Sequence, residues 1–69
     1  MEINKDNIFY RNRAAIAAIS RERNVDMGVA TDMWAAENGV KDYSAYNEWQ
    51  SLLTHYQRHP KLTLADLLR

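Results

Sequence analysis

Two glycines and one proline in 69 residues leave this chain very little punctuation. A β-protein of that length must turn often, and its turns draw on residues that accept positive φ or a fixed bend. The scarcity favours helices, and the spacing of apolar residues agrees. At 3.6 residues per turn Ile8, Phe9, Ala15, Ile16 and Ile19 share one arc of a helix running over about 5–23, with Asn4 or Asp6 placed to cap it. Asn24-Val25-Asp26 breaks the pattern, and Asp26 can cap a second helix over about 26–38. Gly39 then stands where a left-handed residue closes a helix.

The second helix is apolar over a wide arc. Met27, Val29, Ala30, Met33, Trp34 and Ala36 cover about half of its circumference, so it lies between other helices or meets another chain. A third helix over about 43–58, starting near Asp42 or Ser44, carries the stripe Ala45, Tyr46, Trp49, Leu52, Leu53 and Tyr56 and ends before Pro60. Thr63 and Asp66 have the spacing of a capping box for a short helix over about 63–69, with Leu62 and Leu67 as its hydrophobic staple. The expectation is one all-α domain over 1–69, a compact bundle of three principal helices plus a short C-terminal helix.

Composition narrows the function classes. Nine basic and nine acidic side chains cancel, whereas a general nucleic-acid binder carries excess positive charge to neutralise phosphates. Without cysteine there is neither a disulfide nor a thiolate metal site. No apolar run reaches the ~20 residues that cross a bilayer. The opening Met1-Glu2-Ile3-Asn4-Lys5-Asp6 alternates charge and does not read as a signal peptide, which makes the cytoplasm the expected location.

No catalytic constellation is visible. Ser20, Ser44 and Ser51 lie in no nucleophile elbow, and there is no glycine-rich phosphate loop. The scattered acids and bases read as salt-bridged surface rather than paired acid–base groups. His55 and His59 share a helical face with Glu48 two turns earlier, but no second cluster completes a metal site. The expectation is a non-enzyme without cofactor, metal or small-molecule substrate.

Surfaces remain. Tyr10, Ala14, Ala17 and Arg21 line up opposite the first helix's apolar arc, with Arg13 among the arginines nearby, and Tyr and Arg are enriched as interface anchors. Tyr10 and Tyr43 fall outside their main stripes and are the expected exposed aromatics. Leu64, Leu67 and Leu68 have the spacing of short helices that dock into grooves, and equally of leucines that close a domain's own core.

Ala35, Gly39, Val40 and Ala45 have the spacing of a helix-turn-helix, and over about twenty residues the chain resembles that motif. It departs from it at Asn38 and Glu48, where apolar residues are usual, and at Asp42, which phosphates would repel. The leading expectation is a non-enzymatic protein-interaction module, a small regulator or inhibitor that binds and occludes a partner or self-associates. Small regulators of this type are sometimes phage-encoded. A helix-turn-helix DNA binder stands second, and a structural subunit of an oligomer or larger assembly third.

Overall fold

A computed structural model describes residues 3–59 and 61–68, apart from the side chain of Leu64. Among these residues the chain is all-α: α1 (Ile8–Arg11), α2 (Arg13–Arg23), α3 (Met27–Asn38), α4 (Tyr43–Arg58) and α5 (Leu64–Leu68). Helix α3 packs against α2 and α4, α1 lies on α4, and α5 closes the bundle against α2 and α4. Trp49, Phe9, Ile16, Leu52, Leu53, Met27 and Ala30 form the centre of the core.

The expected first helix is two helices, and the asparagines at 7 and 12 explain why. The Asn7 side chain accepts from the backbone N–H groups of Phe9 (2.8 Å) and Tyr10 (3.3 Å), so the helix starts here rather than at Asn4 or Asp6. At Asn12 the side-chain amide donates to the Ile8 carbonyl at 2.7 Å, the acceptor that the residue's own backbone N–H would take in a continuing α-helix. That N–H shifts to the Phe9 carbonyl at 3.1 Å, and Asn12 adopts φ −110° and ψ 21°. The Arg13 guanidinium donates to the Tyr10 carbonyl at 2.9 Å and lies 4.3 Å from the centre of the Tyr10 ring.

The break changes which residues face inward. Ile16 and Ala17 are the buried residues of α2, whereas Ala15, expected in the apolar arc, is exposed. Helix α2 contacts both α3 and α5, so more than one arc of it is covered.

Elsewhere the local signals hold. Asp26 caps α3 by accepting from Val29 N–H at 2.9 Å, and Asp42 caps α4 by accepting from Ala45 N–H at 3.0 Å. Asn24 and Gly39 close α2 and α3 in the left-handed region, at φ 53° and 65°. Thr63 N–H donates to Asp66 at 3.1 Å, and Asp66 N–H donates back to Thr63 Oγ1 at 3.4 Å, the reciprocal pair expected from their spacing. His59 takes extended backbone ahead of Pro60, which itself lies outside the described residues, as does Arg69 at the expected end of the last helix.

Helix α3 packs on α2 and α4 and buries only part of its wide apolar arc. Met27, Ala30, Thr31 and Trp34 are buried, while Ala36 and Val29 face outward, Val29 at 44% exposure. Trp49 Nε1 donates to Thr31 Oγ1 at 2.8 Å, and that hydroxyl donates to the Met27 carbonyl at 2.7 Å. The core therefore holds its indole polar atom in a closed chain of hydrogen bonds.

Candidate functional site

The turn between α3 and α4 builds an open cleft of about 260 Å³. Gly39 reverses the chain at positive φ, and Val40 N–H donates back to the Ala35 carbonyl at 3.0 Å, which fixes Val40 against the end of α3. Asp42 then starts α4, leaving Tyr43 in its first turn, where nothing of the bundle covers it. Tyr43 is 75% exposed and, with Val29, one of the exposed large hydrophobic residues. One turn later Tyr46 leans inward, its ring edge-to-face with the buried Phe9 at 5.9 Å. Phe9, Ala35, Val40, Tyr43 and Tyr46 line the cleft together with Asp32, Lys41 and Asp42.

The cleft is electrostatically defined. Tyr46 donates its hydroxyl to Asp32 Oδ1 at 2.6 Å, joining α4 to α3 across it. The Asp32 hydrogen bond holds the Tyr46 hydroxyl above the ordinary tyrosine range, helped by burial and by the Asp32 charge, with a Gln50 hydrogen bond acting the other way. Asp42 belongs also to a neighbouring polar cleft of about 320 Å³, lined by Asn4, Asp6, Asn7, Ser44, Ala45 and Glu48. The two clefts thus share Asp42, and between them their linings carry four carboxylates (Asp6, Asp32, Asp42 and Glu48) and the ammonium of Lys41.

Asn7 carries the second cleft's geometry. It is 5% exposed and donates from Nδ2 to the Ala45 carbonyl at 2.9 Å and to Glu48 Oε1 at 2.8 Å. With its two acceptor contacts to the first turn of α1, one side chain fastens α1 to α4. Glu48 is thereby committed to Asn7 rather than to the histidines two turns on. The rings of His55 and His59 lie 5.7 Å apart, and among the described residues no three His, Asp or Glu side chains are grouped to hold a metal ion.

The expected site residues do not form one surface. Tyr43 is exposed as expected. Tyr10 is not: it sits at the end of α1 and packs edge-to-face on Trp49 at 6.5 Å, partly buried, with Arg13 over its ring. Ala14 and Arg21 are exposed, but Ala17 is buried, so the proposed outward face of the first helix is interrupted in its middle. Leu67 is buried in the core, which commits it to the domain's own interior rather than to a groove on another protein; Leu68 packs partly buried against the core, and the Leu64 side chain lies outside the described residues.

Tyr46, Asp32 and Phe9 were not singled out as site residues, and the reasons differ. Tyr43 and Tyr46 are three apart on one helix and hence neighbours, a signal present in the sequence. Asp32 joins them only through the packing of α3 on α4, for which no local pattern stands. No helix among the described residues is long and apolar enough to cross a membrane. No protein-family model, curated protein or solved structure matches the chain.

Proposed function

We propose that this chain is a non-enzymatic protein-interaction module that docks a partner through the tyrosine-rimmed cleft at the α3–α4 turn. The observation that carries the reading is Tyr43: a large aromatic, 75% exposed, beside an open cleft with apolar walls. Tyrosine brings much contact area at small entropic cost, and it recurs among the few residues that dominate interface energies. A bundle measuring 33 × 26 × 18 Å offers a broad face comparable to the ~800 Å² that each partner contributes to a standard interface. Its mode of action is occlusion, a rigid helical body covering a site on another protein.

One feature weighs against the DNA-binding alternative. A helix-turn-helix places the start of its second helix against phosphates, and here Asp42 caps that start and the two clefts it lines also carry Asp32, Asp6 and Glu48. These carboxylates disfavour DNA at this corner.

The test is capture by the immobilised chain, wild type against Tyr43→Ala. Because Tyr43 is so exposed, its truncation leaves helicity and melting unchanged while lowering partner retention tenfold or more, the range of an interface anchor worth about 2 kcal/mol. Equal retention by both proteins removes the cleft from the interface.

A further inference from the structure

We infer that the partner segment seated in this cleft is basic: an arginine or lysine beside an aliphatic or aromatic side chain. The inference rests on the docking reading above and names the chemistry of its occupant. The apolar part of the cleft, from Phe9 to Tyr43, calls for a hydrophobic side chain. The charge around it is net negative: Asp32 and Asp42 line this cleft with Lys41, and Asp6 and Glu48 line the adjoining one, which shares Asp42. A partner side chain with a guanidinium or ammonium group meets attraction along this rim, and one with a carboxylate meets repulsion.

The carboxylates hold their positions through the fold, so this field is preorganised. Asp42 is fixed by capping Ala45 N–H, Asp32 by the Tyr46 hydroxyl and Glu48 by the Asn7 amide. All three of these donors are neutral groups, so none of them is a counter-ion. The exposed Tyr43 ring adds a face on which a cation can lie, as the Arg13 guanidinium already lies on Tyr10 elsewhere in the bundle.

The experiment uses the whole ¹⁵N-labelled chain and three capped tetrapeptides, Gly-Leu-Arg-Gly, Gly-Leu-Leu-Gly and Gly-Leu-Glu-Gly. Amide shifts of residues 40–46 are followed during titration. The arginine peptide is expected to shift these amides saturably and to bind more tightly than the leucine peptide, with the glutamate peptide weakest. Rising ionic strength should erase the difference between the charged peptides. Asp32→Asn combined with Asp42→Asn keeps both hydrogen-bond acceptors, and asparagine caps as well as aspartate. The double variant should bind the arginine peptide roughly fivefold more weakly, about what two exposed charge pairs contribute.

If the leucine or glutamate peptide binds these amides as tightly as the arginine peptide, the basic occupant is wrong and the cleft remains a docking site. If no peptide moves residues 40–46 while Tyr43→Ala still releases the captured partner, the occupant is again wrong and the docking reading stands. Equal capture by wild type and Tyr43→Ala overturns both. Should the double variant fold poorly, the salt dependence of the wild-type protein decides the same question.

Discussion

Asn7 is the residue on which the second cleft and the junction of α1 with α4 both depend, and a graded series at this position separates its roles. Asn7→Ser keeps an oxygen to accept from the first turn of α1 and removes both amide donors. The donor to the Ala45 carbonyl, at 2.9 Å, is a neutral hydrogen bond worth about 1 kcal/mol. The donor to the Glu48 carboxylate, at 2.8 Å, falls in the charged class worth about 1.5–3 kcal/mol. Glu48 is only half-buried, so the lower end applies, and Asn7→Ser should cost about 2–3 kcal/mol. Asn7→Ala also removes the cap and should cost about 1 kcal/mol more. A 69-residue domain has about 3–10 kcal/mol in total, so either change is large.

Asn7→Asp keeps the shape and the cap but sets a carboxylate oxygen against the Ala45 carbonyl and Glu48 Oε1. The new carboxyl is then held above its ordinary range in the folded state. Its protonated form can still donate once, so this variant suffers least in acid. Its penalty grows as pH rises through the unfolded value of ~3.9 and levels off above the folded one. Urea unfolding, followed by the fluorescence of Trp34 and Trp49, measures all three variants across pH. An Asn7→Ser protein within about 0.5 kcal/mol of wild type would refute the clamp. Equal costs for serine and alanine would remove the capping role, and an Asn7→Asp variant less stable in acid than at neutral pH would contradict the electrostatic assignment.

Two further outcomes follow from the core and from the cleft. Thr31→Val strands the Trp49 indole N–H, fully buried at 0% exposure, and should cost about 1–3 kcal/mol in urea unfolding. Adding Trp49→Phe removes the stranded donor, so the double variant should lose less than the two singles summed, and strict additivity would show that the hydrogen bond contributes nothing. In an ultraviolet pH titration Tyr46 should ionise above the ordinary tyrosine range, an effect that Tyr46→Phe removes from the curve. Because its folded pKa is raised, its contribution to stability is complete below the unfolded value of ~10 and is lost as pH rises through the folded one. A tyrosine signal that Tyr46→Phe depletes evenly across the curve would contradict the Asp32 hydrogen bond.

The readable parts of this fold are those whose causes are local. Asp26, Asp42, Gly39 and the Thr63–Asp66 pair act within four residues of themselves, and their spacing in the chain is their spacing in space. The asparagines at 7 and 12 escaped because asparagine is ambiguous: the same side chain caps a helix, breaks one or sits on its surface. Only the Ala45 and Glu48 acceptors, some forty residues away, select the first role for Asn7. The break at Asn12 also resets which residues face inward along the chain that follows it. A continuous spiral from 5 to 23 puts Tyr10 and Ala17 on one outward face and Ala15 inside. Two shorter helices turn Tyr10 onto Trp49, bury Ala17 against the bundle and expose Ala15. For the site, exposed Tyr43 was legible from its place off the apolar stripe. The cleft beside it was not, because Phe9 and Asp32 reach it from α1 and α3.

The zero net charge shows the same limit of averages. Nine charges of each sign sum to nothing, yet Asp6, Asp32, Asp42 and Glu48 line adjoining clefts at the start of α4. Arg11, Arg21 and Arg23 are exposed on α1 and α2, Arg23 lying 3.6 Å from Glu37 in a solvent-exposed ion pair of little energetic weight. Folding accounts for three of the carboxylates one at a time: Asp42 caps a helix, Glu48 meets Asn7 and Asp32 meets Tyr46. A neutral acceptor such as asparagine or glutamine could fill each of these roles without desolvating a charge. What folding leaves unexplained is the placing of Asp32 and Asp42 in one cleft with the exposed Tyr43. The proposed docking of a positive partner would account for both features together, which is the argument for testing this cleft before the face of α2.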